Sequence, residues 1–167
     1  MVTLVILAVL LAIAAPSYRD FVLDSRMSGE ANEFLTALNF ARSEAIKRNG
    51  RVTMCKSSTG TACATSGYWD QGWIVFVDVD SGTAGTFDSG SDTILRVHAA
   101  LTAGSTLKGN ADAVANYASF VPDGRSLLAN GAAQAGDFDL CVSGASAQGR
   151  QVGLALGRSQ VSKIACP

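Results

Sequence analysis

Histidine and proline are nearly missing from this 167-residue chain: His98 stands alone, and there are three prolines. Its four cysteines show no C-x-x-C spacing and lie far in sequence from His98, which argues against a zinc site. No Gly-x-Ser-x-Gly motif is present, and nothing in the sequence converges on a nucleophile or an acid–base pair. The chain is therefore read as non-enzymatic, with no metal, cofactor or small-molecule substrate. Excess charge is missing too, with 13 basic residues against 14 acidic, so the molecule as a whole does not call for nucleic acid. No repeat of solenoid period is visible. The length suits one domain with a real core.

What is present begins with an uncharged run, Met1 to Ala15. It is too apolar for the exposed start of a soluble domain, yet shorter than the ~20 residues that span a bilayer as a helix. A secretory signal peptide would carry a basic n-region, which is absent. A buried helix and the rear of a membrane helix are the other readings.

The following residues decide among them. Met27, Ala31, Phe34, Leu38, Ala41 and Ala45 recur at steps of four and three, which predicts an apolar helical stripe. Arg26, Glu30, Glu33, Arg42, Glu44 and Arg48 are expected on the other faces. Arg26–Glu30 and Glu44–Arg48 form i,i+4 pairs worth a few tenths of a kcal/mol each. Lys47 and Arg48 suit a helix C-terminus, and Gly50 a stop. Pro16 would kink a long helix rather than end it. One helix of nearly fifty residues accounts for both halves: residues 1–16 as a membrane or filament-core part, 17–50 as an amphipathic part.

Residues 51–167 switch to strand patterning. The expected strands are Arg51–Lys56, Gly72–Val79, Thr93–Ala99, Val114–Val121, Phe138–Val142, Arg150–Leu156 and Ser159–Ile164, joined by loops rich in Gly, Ser, Thr and Asp. Pro122-Asp123-Gly124 reads as a turn. The class is α+β, a long N-terminal helix packed on an antiparallel β-sheet domain. Trp69, Trp73, Phe76 and Tyr117 are expected in the core. Asp78-x-Asp80-Ser81-Gly82, with Asp88 and Asp92, lacks the spacing and final glutamate of a calcium loop and is read as a solvated hairpin loop.

Cys55, Cys63, Cys141 and Cys166 imply an oxidising compartment with two disulfides. Three pairings are open. The local one, Cys55–Cys63 with Cys141–Cys166, closes the shortest loops, contributing about 2.5 and 3.5 kcal/mol on the loop-entropy argument.

Several stretches resemble the type IV pilin-like minor subunits of the GspH/FimT/FimU group. They are Met1-Val2-Thr3-Leu4-Val5-Ile6-Leu7-Ala8, Pro16, Ala41-Arg42-Ser43-Glu44-Ala45, Gly72-Trp73-Ile74-Val75-Phe76-Val77-Asp78 and the Gly124-Arg125 turn. Cys141…Gly149-Arg150…Gly157-Arg158…Cys166 is similar to the FimT/FimU branch. The resemblance implies a cleaved leader and a Phe-Thr-Leu-Ile-Glu-Leu motif ahead of Met1. It also implies a pilin fold and an assembly helix carried by Val5, Ile6, Leu7, Val9, Leu10, Leu11, Ile13 and Pro16. The expected role is a minor pilin, held in the bacterial inner membrane with a periplasmic domain and then assembled with other pilins into an extracellular pilus. A type II secretion pseudopilin and a secreted β domain behind a signal peptide are the competing readings.

The tail from Cys141 onward holds Arg150, Arg158 and Lys163 and no acid. In the FimT branch a Gly-Arg-x-Arg motif binds DNA; here the matching stretch is Gly157-Arg158-Ser159-Gln160, with one arginine replaced. Arg150, Arg158 and Lys163 are thus candidate DNA contacts, at most three cations for weak, salt-sensitive, sequence-independent binding.

Overall fold

The computed structural model describes residues 2–79, 84–144 and 148–166, with side chains of the helix described from Tyr18 onward. Helix α1 spans Val2–Arg48 and runs unbroken through Pro16. Its 47 residues correspond to about 70 Å at 1.5 Å per residue. The end is a Schellman motif. Asn49 takes the left-handed conformation, φ 50°, while the Gly50 N–H donates to Ala45 O and the Asn49 N–H to Ile46 O. Asn49 is the left-handed residue, and Gly50, expected as the stop, closes the motif just after it.

Among the described residues eight strands follow: β1 (Val52–Lys56), β2 (Trp73–Val77), β3 (Thr93–His98), β4 (Ser105–Gly109), β5 (Tyr117–Phe120), β6 (Ala135–Val142), β7 (Gln148–Ala155) and β8 (Arg158–Ala165). They form two four-stranded sheets, ordered β3-β2-β1-β5 and β4-β6-β7-β8, with every pairing antiparallel. Strand β4 was not expected. Its Ser-Thr-Leu-Lys-Gly alternates in burial, but Ser105 and Gly109 on the inward side are not apolar and only Leu107 is buried, so the sequence carries no hydrophobic alternation to detect. Of the expected Val114–Val121 strand, Val114 closes a 3₁₀ turn and only Tyr117–Phe120 pair.

The rear half of α1 packs on both sheets. Met27, Ala31, Phe34, Leu38, Ala41 and Ala45 are all buried, joined by Ala37. Phe34 holds the layers together. Its ring meets Trp73 of β2 at 5.1 Å, Phe138 of β6 at 4.7 Å and Trp69 at 5.4 Å, all edge-on. The Trp69 indole N–H also donates to Val114 O at 3.0 Å. Trp73 and Phe76 are buried as expected, while Tyr117 is half-buried against the smaller cluster of Cys55, Ile74 and Phe76.

The disulfides are Cys55–Cys63 and Cys141–Cys166. The second explains a glycine: a Cβ on Gly149 would lie 2.6 Å from both Cys166 Sγ and Leu140 O. Gly157 is equally constrained, with φ 80° in the β7–β8 turn and a Cβ that would overlap Gly124 O.

Two of the charged residues expected off the apolar stripe are nonetheless buried: Glu30 and Glu44 are 7% and 8% exposed. Each is neutralised there by its i+4 or i−4 arginine, Arg26 at 3.0 Å and Arg48 at 2.6 Å.

Candidate assembly face and distal cleft

Two arginines lock α1 onto the second sheet. Arg26 donates through Nε to Glu30 and through Nη2 to Thr102 O, Ala103 O and Ser105 Oγ, at 2.7–3.0 Å. Ser105 in turn donates to Glu30 Oε2 at 2.6 Å. Arg150 of β7 reaches Asp24 Oδ1 at 2.5 Å and Ser28 Oγ at 3.2 Å. Such charge-assisted bonds hold the helix direction, which apolar packing alone leaves free to slide. N-terminal to these clamps the character changes. Tyr18 and Phe21 are 71% exposed and Val22 44%, an exposed apolar surface. The assembly-helix residues Val5 to Pro16 lie outside the residues whose side chains are described. Among the described residues, no helix is long and apolar enough to cross a membrane.

The three tail cations do not come together. Arg150 is buried and spent on Asp24, which leaves it little to offer a phosphate. Arg158 and Lys163 are exposed, but they stand five residues apart on β8, whose register with β7 is regular. Strand alternation therefore places them on opposite faces. Arg158 instead lines an open cleft of about 960 Å³ with Arg42 of α1 and Arg125 of the Gly124 turn. Arg42 Nε donates to Gly124 O at 2.9 Å, and Arg125 Nε to Asp123 Oδ2 at 2.6 Å. The Arg125 backbone N–H, then its side chain, holds the Asp123 carboxyl below its ordinary range. The sequence showed Gly124-Arg125 and Gly157-Arg158 as separate motifs; only the fold joins them through the Gly157–Gly124 contact.

His98 ends β3 with its ring stacked 3.9 Å from Trp73, Nδ1 at 2.7 Å from Ala99 O and Nε2 at 3.3 Å from Glu33. That is a structural role, joining β3 to α1. The aspartate-rich loop is not simply solvated. Asp78 is buried, accepting bonds from Thr53 Oγ1 and the Gly85 N–H, and its desolvation pushes its pKa up. Asp92 accepts the N–H groups of Val79 and Asp88. Asp80, Ser81 and Gly82 lie outside the described residues. Among those described, no group of three or more His, Cys, Asp or Glu side chains is placed to hold a metal ion.

A family model for the type II transport protein GspH matches residues 30–158, well over half of the chain. The chain belongs to the GspH family. Its members are structural pilin subunits that assemble with other pilins or pseudopilins in filaments. The fold matches two solved structures of this kind. One is the type IV minor pilin FimU of Pseudomonas aeruginosa, with TM-score 0.60 and 21% identity over 85% of this chain and 92% of that one. The other is the minor pseudopilin EpsH from the type 2 secretion system of Vibrio cholerae, with TM-score 0.53 and 11% identity over 84% and 97%. No curated protein matches the chain. Within the GspH family frame, the match begins at Glu30, the residue that Arg26 pairs with, and ends at Arg158 on the cleft.

Proposed function

We infer that this GspH-family chain is a minor pilin, a structural subunit of a type IV pilus that acts in pilus assembly. The observation that carries the reading is the two-part helix. Its rear half is buried and clamped by Arg26 and Arg150, while Tyr18, Phe21 and Val22 present apolar surface beyond the clamps. Apolar surface held rigidly outside the core suits exchange between lipid and the packed helices of a filament, where complementarity rather than hydrophobicity selects the partner. Residues 1–16 would hold the subunit in the bacterial inner membrane, with its disulfide-bonded domain in the periplasm before export into the pilus. The FimU likeness, at 21% identity, supports this branch. Deleting the gene should abolish or shorten surface pili, with the protein itself recovered by immunoblot in sheared filaments.

A second reading is a minor pseudopilin of type II secretion, favoured by the family model itself. The same deletion separates the two. Loss of secreted enzymes with pili intact would assign the chain to secretion. A DNA-uptake role would rest on Arg158 and Lys163 alone, Arg150 being buried. It requires a low-salt DNA mobility shift that Arg158→Ala weakens; no shift removes it.

A further inference from the structure

The cleft at the far end of the domain from the projecting part of α1 contains an unusual turn. Leu156 and Gly157 join β7 to β8 with φ of 49° and 80°, a two-residue turn for which Asn-Gly is the favoured pair. Leucine carries a Cβ that crowds the backbone in the left-handed region, yet here it is 60% exposed. Neither folding nor solubility is served by that choice. Leu156 shares the cleft with three arginines, and Ile46, 50% exposed at the end of α1, lies against the neighbouring Gly124. The Arg158 side chain makes no hydrogen bond or ion pair among the described residues, Arg42 spends only Nε on Gly124 O, and Arg125 spends Nε on Asp123. The cleft sets the guanidinium groups of Arg42, Arg125 and Arg158 against two carboxylates, Asp123 (already paired with Arg125) and Asp137, so its lining carries one net positive charge, and Ala155 and the exposed Leu156 supply its apolar surface.

We propose that this cleft docks a peptide segment of a partner protein in which carboxylates flank an aliphatic side chain, with Leu156 as the apolar anchor. Arginine forks match carboxylates in a bidentate manner, and an apolar anchor ringed by charge is the usual anatomy of a peptide site. A nucleic acid fits less well. A duplex would use the cations and leave Leu156 and Ile46 facing water, and a single strand would need an aromatic platform, which the lining lacks.

The test uses the full chain in detergent micelles and a fluorescein-labelled peptide, Gly-Ser-Asp-Leu-Asp-Leu-Asp-Ser-Gly, read by anisotropy. Saturable binding is expected, weakened about tenfold or more by Leu156→Asn and by Arg158→Gln and unchanged by Lys163→Gln on the opposite sheet face. Asparagine tolerates φ > 0, so Leu156→Asn should raise the melting temperature while it weakens binding, a split that a merely structural leucine would not show. No saturable binding at millimolar peptide would overturn the proposal. So would a labelled 12-base-pair duplex that binds more tightly than the peptide and ignores Leu156→Asn. Neither result bears on the filament reading, which rests on the opposite end of the molecule and is read by pili.

Discussion

Arg150 and Asp24 form an ion pair between β7 and α1 that is unequal in its burial: the arginine side chain is 7% exposed, the aspartate 47%. The two ends should therefore respond differently to mutation. Arg150→Met leaves a half-solvated carboxylate and keeps the packing of the aliphatic stem, and should cost about 1 kcal/mol. Asp24→Ala strands a buried guanidinium with only Ser28 Oγ and Gly149 O, and should cost about 2–3 kcal/mol. Urea titration of both variants checks the order; equal costs would mean that the pair contributes packing alone.

Phe34 should be the most damaging single site in the core. It touches Trp69, Trp73 and Phe138 at once, so Phe34→Ala removes contacts to both sheets. A loss of about 3–5 kcal/mol is expected. Both tryptophans flank the resulting cavity, and their fluorescence should change in the folded state as well as shift its midpoint.

The stripe containing Phe34 was readable in the sequence because a 3.6-residue period survives any tertiary context, and each of its six positions is buried. Strand β4 was not, because Leu107 alone carries its burial and its pairing with β6 is decided elsewhere. The tail arginines mark the sharper limit. Arg150 looks free in a sequence window without acids, yet its carboxylate lies 126 positions away on α1. Likewise Arg42, Arg125 and Arg158 come from a helix, a turn and a strand, and only the stacking of Gly157 on Gly124 brings them to one cleft. Long-range charge pairing leaves no local pattern.

Two carboxylates should pull the pH dependence of stability in opposite directions. Glu44 has its pKa lowered, chiefly by the Arg48 hydrogen bond. Its contribution is present above the ordinary carboxylate pKa and is lost as pH falls through the lowered folded value. Asp78 has its pKa raised from 3.8, chiefly by burial. Its contribution is fully present below 3.8 and is lost as pH rises through the raised folded value. Asp78→Asn keeps an acceptor for Thr53 and Gly85 without the buried charge. It should gain stability relative to the native chain at neutral pH and lose that advantage at acid pH. Glu44→Gln should do the reverse, weakening the fold at neutral pH and converging with it in acid. Melting curves across pH 3–8 for the two variants test both signs together.

The Cys141–Cys166 bridge closes a loop with a sequence separation of 25 and ties the end of β8 to β6 beneath Gly149. Strand β8 is the sheet edge and is exposed along most of its length, so it has few apolar contacts of its own to hold it. Replacing both cysteines with serine should cost about 3.5 kcal/mol. Because β8 is held mainly by its pairing with β7, the loss should appear first as local opening. Hydrogen exchange should accelerate in residues 158–165 before it does in β6 or α1. The double replacement of Cys55 and Cys63 opens a shorter loop, with a separation of 8, and should leave β8 exchange unchanged. Uniform acceleration across the domain in the first variant would show instead that β8 unfolds only with the whole molecule.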